Sequence, residues 1–202
     1  MIITQVVDIR YYYEQLLAYL QRYAPITKDD LKLLTPFLEV RNFERRTVIL
    51  EEGEVDYYLN IVMRGIVRKN VKVDRGDMTL QLATEGHFIH SEVSFHHRIA
   101  SEMSIETVEP STLVSIHYNN LQIALNEIPW LEKMARRIVI DMYLKKDLRT
   151  KMHLTKKTRE RFVDYVNSHP QLLQRVPQKI LASYLNIKPE TFSRLKHLLK
   201  KN

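Results

Sequence analysis

The sequence predicts an α+β fold: an N-terminal antiparallel β-roll with flanking helices, a long helix, and an all-α helix-turn-helix unit at the C-terminus. Three observations carry this. All four glycines (Gly53, Gly65, Gly76, Gly86) fall between residues 39 and 118, where tight corners are needed, and none follows. Short β-branched and aromatic runs crowd that same stretch. The charge is also divided: residues 1–132 hold 13 Lys and Arg against 19 Asp and Glu, whereas residues 133–202 hold 18 against 5. Three units follow: 1–120, 121–150 and 151–202.

In chain order, residues 11–35 read as helical, with Leu16, Leu17, Leu20 and Tyr23 on one stripe. Thr27 is an N-cap for a second short helix, with Asp29 and Asp30 in its first turn. Strands are expected at Thr47–Leu50, Tyr57–Met63, Val67–Val73, Met78–Ala83, Met103–Val108 and Thr112–His117. Turn chemistry such as Asp74-Arg75-Gly76-Asp77 separates them, which suits a small antiparallel barrel or roll. A long helix is expected from Leu131 to about Arg149, with Pro129 near its start. Leu131, Ala135, Ile138 and Met142 form a narrow apolar stripe on it. Such a stripe resembles a coiled-coil seam and predicts a homodimer interface, the alternative being a surface helix packed on its own domain. A further helix spans about Lys156–Ser168 and stops at His169-Pro170.

Composition narrows the function classes. There is no cysteine, hence no disulfide, thiolate-held cluster or cysteine nucleophile. No apolar run approaches the roughly 18 residues a membrane helix needs. The opening MIITQVVDIR lacks the basic and apolar regions of a signal peptide, so a cytoplasmic protein is expected. No P-loop, GxSxG, HExxH or dinucleotide-binding fingerprint appears, so an enzyme is not expected. A basic third joined to an acidic two-thirds is the footprint of a phosphate-backbone binder.

The segment from Val176 to Leu195 supplies the matching geometry. Ile180, Leu181, Tyr184 and Leu185 give a first helix its buried face, and Ala182 allows a close crossing. Asn186 suits a left-handed helix terminus, and Pro189 then opens a second helix. Phe192 and Leu195 face inward, with Leu198 or Leu199 continuing their stripe. Glu190, Thr191, Ser193, Arg194 and His197 are left pointing out. A second helix of this kind lies in the DNA major groove with its first residues on base edges. Arg suits guanine and Glu suits cytosine. Lys179, Lys188, Lys196, Lys200 and Lys201 are placed for phosphates.

Ile180–Leu195, with Glu190-x-x-Ser193-Arg194, resembles the recognition unit of the Crp/Fnr superfamily. Gly53, then Tyr58-x-x-x-Val62-x-x-Gly65, then Gly86-x-Phe88-Ile89 resemble that family's cyclic-nucleotide-binding β-roll. Met134-Ala135-Arg136-Arg137 sits where its dimer helix runs. The resemblance covers the chain from about residue 25. It implies a sensor roll, a dimerising helix, and a tail that binds double-stranded DNA and engages RNA polymerase. Some members carry a base-reading arginine where Pro189 stands, so readout here would rest on Glu190, Ser193 and Arg194. The chain ends soon after the second helix, and no β-wing is expected.

By the same resemblance, Gly86, Phe88, Ile89, Glu92, Ser101 and Glu102 line the effector pocket. Glu92 takes the ribose position. The phosphate position falls at Ser101 or Glu102, with no arginine, and a carboxylate there repels phosphate. Arg98 lies three to four residues early. The base-binding Thr-Ser pair of the long helix is also missing, because residues 116–149 contain no Ser or Thr. Cyclic AMP is therefore not expected to bind. Haem is the main alternative input, from His87, His90, His96, His97, His117 and the seven methionines. No bound metal is expected, and zinc is disfavoured without cysteine. Regulation without any ligand is a third reading, and a protein-interaction scaffold that keeps the fold without binding DNA is a further alternative.

Overall fold

The structure is a computed structural model that describes residues 9–74 and 76–199, apart from the side chains of Leu198 and Leu199. The opening residues and Lys200 and Lys201 lie outside it, and so does the expected inward stripe at Leu198 or Leu199. After a short 3₁₀ turn come α1 (Tyr13–Leu20) and α2 (Lys28–Leu34). Thr27 caps α2 as expected: its hydroxyl accepts from the Asp30 amide, while the Asp30 carboxylate accepts from the Thr27 amide.

Eight strands form two four-stranded antiparallel sheets. They are β1 (Leu38–Phe43), β2 (Val48–Leu50), β3 (Tyr58–Arg64), β4 (Val67–Val73), β5 (Gly76–Ala83), β6 (Phe88–Ile89), β7 (Ser104–Thr107) and β8 (Ser111–His117). One sheet runs β1-β8-β3-β6 and the other β2-β7-β4-β5. Between them lie Phe43, Leu50, Val62, Val67, Ala83, Ile89, Ile105 and Leu113. The first sheet is buried on its outer face as well, where Val40, Ile61, Met63, Val114 and Ile116 meet the helices. Burial on both faces explains why β8 is apolar or small and buried almost throughout, without alternation. Gly65 turns the β3–β4 corner at φ +96°; a Cβ there would lie 2.3 Å from Ser111 Oγ and 2.6 Å from the Pro110 carbonyl.

The β4–β5 ladder slips between Lys69, opposite Gln81, and Asn70, opposite Thr79. Leu80 is the extra residue of this bulge. Lys69 and Asn70 lie opposite this bulge, and both are buried.

Helix α3 (Glu92–His97) follows β6, and α4 (Tyr118–Glu127) follows β8. The long helix α5 runs Leu131–Thr155, six residues further than expected, with Trp130 at its N-cap. Leu131, Met134 and Ile138 are buried in one cluster with Leu16, Leu17, Leu20 and Tyr23 of the N-terminal helices, and Met142 packs on that cluster. Of the stripe expected at an intersubunit seam, Leu131 and Ile138 are thus buried within one chain, while Ala135 and Met142 are half-buried.

The C-terminal unit contains α6 (Thr158–Ser168), α7 (Leu172–Arg175), α8 (Gln178–Tyr184) and α9 (Pro189–Leu199). Phe162, Tyr165, Leu172, Val176, Leu181, Ala182, Leu185, Phe192 and Leu195 form its core, to which Ile66 and Val108 of the roll contribute. The unit docks on the roll. Arg175 pairs with both Glu85 and Glu109, and Ser183 Oγ accepts from the Thr79 amide at 2.8 Å.

Candidate nucleic-acid interface and sensor pocket

The turn between α8 and α9 follows from its residues. Asn186 adopts the left-handed conformation at φ 52°, and the Ile187 amide donates to the Ala182 carbonyl at 3.0 Å. Ala182 is fully buried, and Phe192 meets Phe162 edge-to-face with centroids 5.1 Å apart. With Phe192 and Leu195 fixed inward, helical spacing turns Glu190, Arg194 and His197 to the opposite face, where all three are exposed. Thr191, Ser193 and Lys196 are half-buried on the flanks, and Lys179 and Lys188 are exposed. The structure thus gathers the polar set on one helix that begins at Pro189.

The pocket in the roll is arranged differently from expectation. Gly86 turns at φ +77° beneath α1: its carbonyl accepts from Arg22, and the Tyr19 ring covers it. Phe88 and Ile89 are buried, and Phe88 meets Tyr23 edge-on. Glu92 opens α3, but Lys69 reaches across from β4 to its carboxylate at 2.5 Å and donates to the His90 carbonyl at 3.0 Å. Burial raises the Glu92 carboxyl, yet the ammonium outweighs this and holds it below the usual carboxylate range. Burial in turn pulls Lys69 below its ordinary value. Ser101 is buried, and its hydroxyl bonds Ser91 Oγ and the Met103 carbonyl.

Glu102, next to the buried Ser101, is exposed. Arg98 is engaged elsewhere. It takes a left-handed conformation at the end of α3, donates to the Asp56 carbonyl, and lies over the Tyr57 and Tyr118 rings at 4.4 and 4.3 Å. Asp56, buried, accepts from the Ser91 and Tyr58 amides and clamps the loop ahead of α3. Sequence reasoning missed Lys69. Its signal was parity: two residues beyond Val67 on one strand, it had to share that inward face.

The histidines considered for haem have separate engagements. His87 Nδ1 bonds Thr84, and His117 stacks on Tyr57 with centroids 5.6 Å apart. His90 is buried edge-on to Phe95 and near His96, and burial lowers its imidazole to about 4. Among the described residues no three His, Asp or Glu side chains form a group fit to hold a metal ion.

A second apolar stripe runs along α5. Ile140, Tyr143, Leu144 and Leu148 are each at least half exposed, with Val139 beside them. By helical spacing this stripe is opposite Leu131, Ile138 and Met142.

No protein-family model and no curated protein matches the sequence. Solved structures do. The c-di-GMP-responsive global regulator CLP of Xanthomonas campestris superposes with a TM-score of 0.70 at 17% identity, over 87% of this chain and 92% of that one. FixK2 of Bradyrhizobium japonicum gives 0.68 at 14% identity, over 81% and 85%. A protein described as a transcriptional regulator of the Crp/Fnr family from Eubacterium rectale gives 0.68 at 14% identity, over 91% and 88%. Identities this low speak for architecture alone: the chain has the fold of these Crp/Fnr-type regulators, with a cyclic-nucleotide-binding-like β-roll.

Proposed function

We propose that this protein is a homodimeric, sequence-specific DNA-binding transcription regulator. The observation that carries the reading is α9: Glu190, Arg194 and His197 exposed along one face of a rigidly backed helix, within a strongly basic tail. Arg194 is the candidate for a bidentate bond to guanine, with Glu190 and Ser193 beside it and Thr191 and His197 at the edges. Lys179, Lys188 and Lys196 contact phosphates. The structurally similar proteins include transcription regulators, which agrees with a regulator and not an enzyme.

The dimer forms through the exposed stripe Ile140, Tyr143, Leu144 and Leu148, not through the stripe buried on the roll. Two recognition helices about one turn of DNA apart then read an inverted repeat. RNA polymerase is the partner through which the bound dimer acts. The roll does not respond to cyclic AMP, because Lys69 already neutralises the glutamate that would hold the ribose. No helix among the described residues is long and apolar enough to cross a membrane.

The test is selection from a random duplex library at fixed, near-physiological salt, with Arg194→Ala in parallel. Wild type enriches an inverted repeat; the variant loses about 1–3 kcal/mol of discrimination at one base pair per half-site. Binding to all duplexes with no enriched sequence would defeat the reading.

A further inference from the structure

Among the described residues, eight buried side-chain polar atoms have no hydrogen-bond partner, and four of them lie on two adjoining helices: Arg149 Nε, His153 Nε2, Arg161 Nε and Tyr165 Oη. Such atoms are costly to leave unpaired, so a concentration of them asks for an acceptor.

The geometry brings them together. Arg149 and His153 are one turn apart near the end of α5, and Arg161 and Tyr165 are one turn apart on α6, just past the connecting turn. The Arg149 guanidinium lies 4.0 Å from the Tyr184 ring centroid and donates to the Tyr184 carbonyl at 2.8 Å. The Tyr184 and Tyr165 rings are 5.4 Å apart. On its other side Arg149 donates to the carbonyls of Thr79 and of Leu80, the bulge residue of β5. Arg161 is anchored by a 2.8 Å bond to the Lys156 carbonyl, which leaves its Nε unpartnered. Arg161 and Tyr165 are both more than nine-tenths buried, while Arg149 and His153 are half-buried at the rim.

Charge decides between a neutral and an anionic acceptor. Two guanidiniums and a histidine meet here, and Arg149, His153 and Arg161 form no ion pair with a carboxylate among the described residues. Burial first, and then Arg149 and Arg161, hold the His153 imidazole below its usual range. All four free atoms can donate a proton in a hydrogen bond. A water oxygen would satisfy some of them, but it would leave the charge uncompensated.

We propose that the junction of α5, α6 and the end of α8 is a binding site for a small oxyanion, with Arg149 and His153 at its rim and Arg161 and Tyr165 as its floor. The ligand class is a phosphate- or carboxylate-bearing small molecule. It would touch the long helix and the C-terminal unit at once, at the point where Arg149 also grips the edge of the roll. This site is separate from the pocket around Glu92 and does not depend on what α9 recognises.

The experiment is calorimetric titration of the full chain with inorganic phosphate, against chloride at matched ionic strength. The variants are Arg149→Met and His153→Ala, with circular dichroism to confirm that each folds. His153 is half-buried and forms no hydrogen bond or ion pair shown in the structure, which makes it the safer of the two. Saturable binding of one phosphate per chain is expected, weakened about tenfold in His153→Ala, the size of one charge-assisted hydrogen bond. The same affinity in wild type and both folded variants would place the anion elsewhere and overturn the proposal. So would the absence of any saturable heat beyond the chloride control.

Discussion

The roll pocket and the second helix of the C-terminal motif treat polar groups in opposite ways. In the pocket, Lys69 closes on Glu92 and Ser91 bonds Ser101, so the charges and hydroxyls there satisfy one another inside the protein, while His90 Nδ1 and Asn70 Oδ1 stay unpartnered. On α9, Phe192 and Leu195 are the buried residues, and Glu190, Arg194 and His197 are exposed. A pocket whose charges are already paired gains little from a charged ligand, which would have to break that pair. A helix rigid on one side and unsatisfied on the other gains from meeting a partner. The contrast separates two parts of one fold: one has closed on itself and the other is held open for recognition.

Four measurements break or sharpen this contrast. The largest effect belongs to the frame behind α9. Phe192→Ala removes a fully buried ring and should cost the C-terminal unit about 3–5 kcal/mol, read by urea unfolding with circular dichroism. Affinity for every duplex should fall with it. Intact stability would mean that α9 is not held as described.

Next comes the acid response of the pocket. His90 titrates at about 4 in the folded protein against 6.5 ordinarily, because burial penalises its charged form. The unfolded chain therefore takes the proton first. Stability from this group is complete above about pH 6.5, declines as pH falls towards about 4, and changes no further below that. The loss is about 3 kcal/mol. Unfolding of His90→Phe across this window should show a shallower slope, and an unchanged slope would remove His90 as a cause.

The ion pair itself gives a double-mutant cycle. Lys69→Met leaves the Glu92 carboxylate without its partner and should cost about 2 kcal/mol, a figure reduced because Glu92 is partly exposed. Adding Glu92→Gln should recover most of it. Equal and additive losses would show that the pair does not close the pocket. The smallest effect is on the open side. Lys188→Ala should weaken binding uniformly across sequences and lower the salt slope by about 1. A sequence-dependent loss would move Lys188 from phosphate contact to base reading.

Much of the architecture was legible because its signals are local. Val67–Val73 coincides with β4, and the Thr27 cap, the left-handed Asn186 and the Pro189 helix start all appear where residue type demands them. Strand β1 and helices α3, α4 and α7 were not read, since each is short or lacks a clean period. The apolar stripe of α5 is legible in the sequence, but what covers it is not. Periodicity shows that a face is buried without showing against what, and Leu131 and Ile138 join one cluster with Leu16, Leu17 and Leu20. The weaker second stripe, with Tyr143 interrupting its leucines, held the better clue to a partner chain. The pocket was misread for a related reason. Parity places Lys69 inward, but its partner Glu92 opens a helix 23 residues further on, and that closure is a three-dimensional fact.

Trp130 has a practical consequence. It is the only tryptophan in the chain, it sits at the start of α5 packed on the core cluster, and its indole N–H is buried without a partner. A small displacement at that end of the helix would bring this N–H to water or to a new acceptor and shift its emission colour. The protein thus carries its own optical gauge of how α5 moves, readable without a label when an anion, a duplex or a second chain is added.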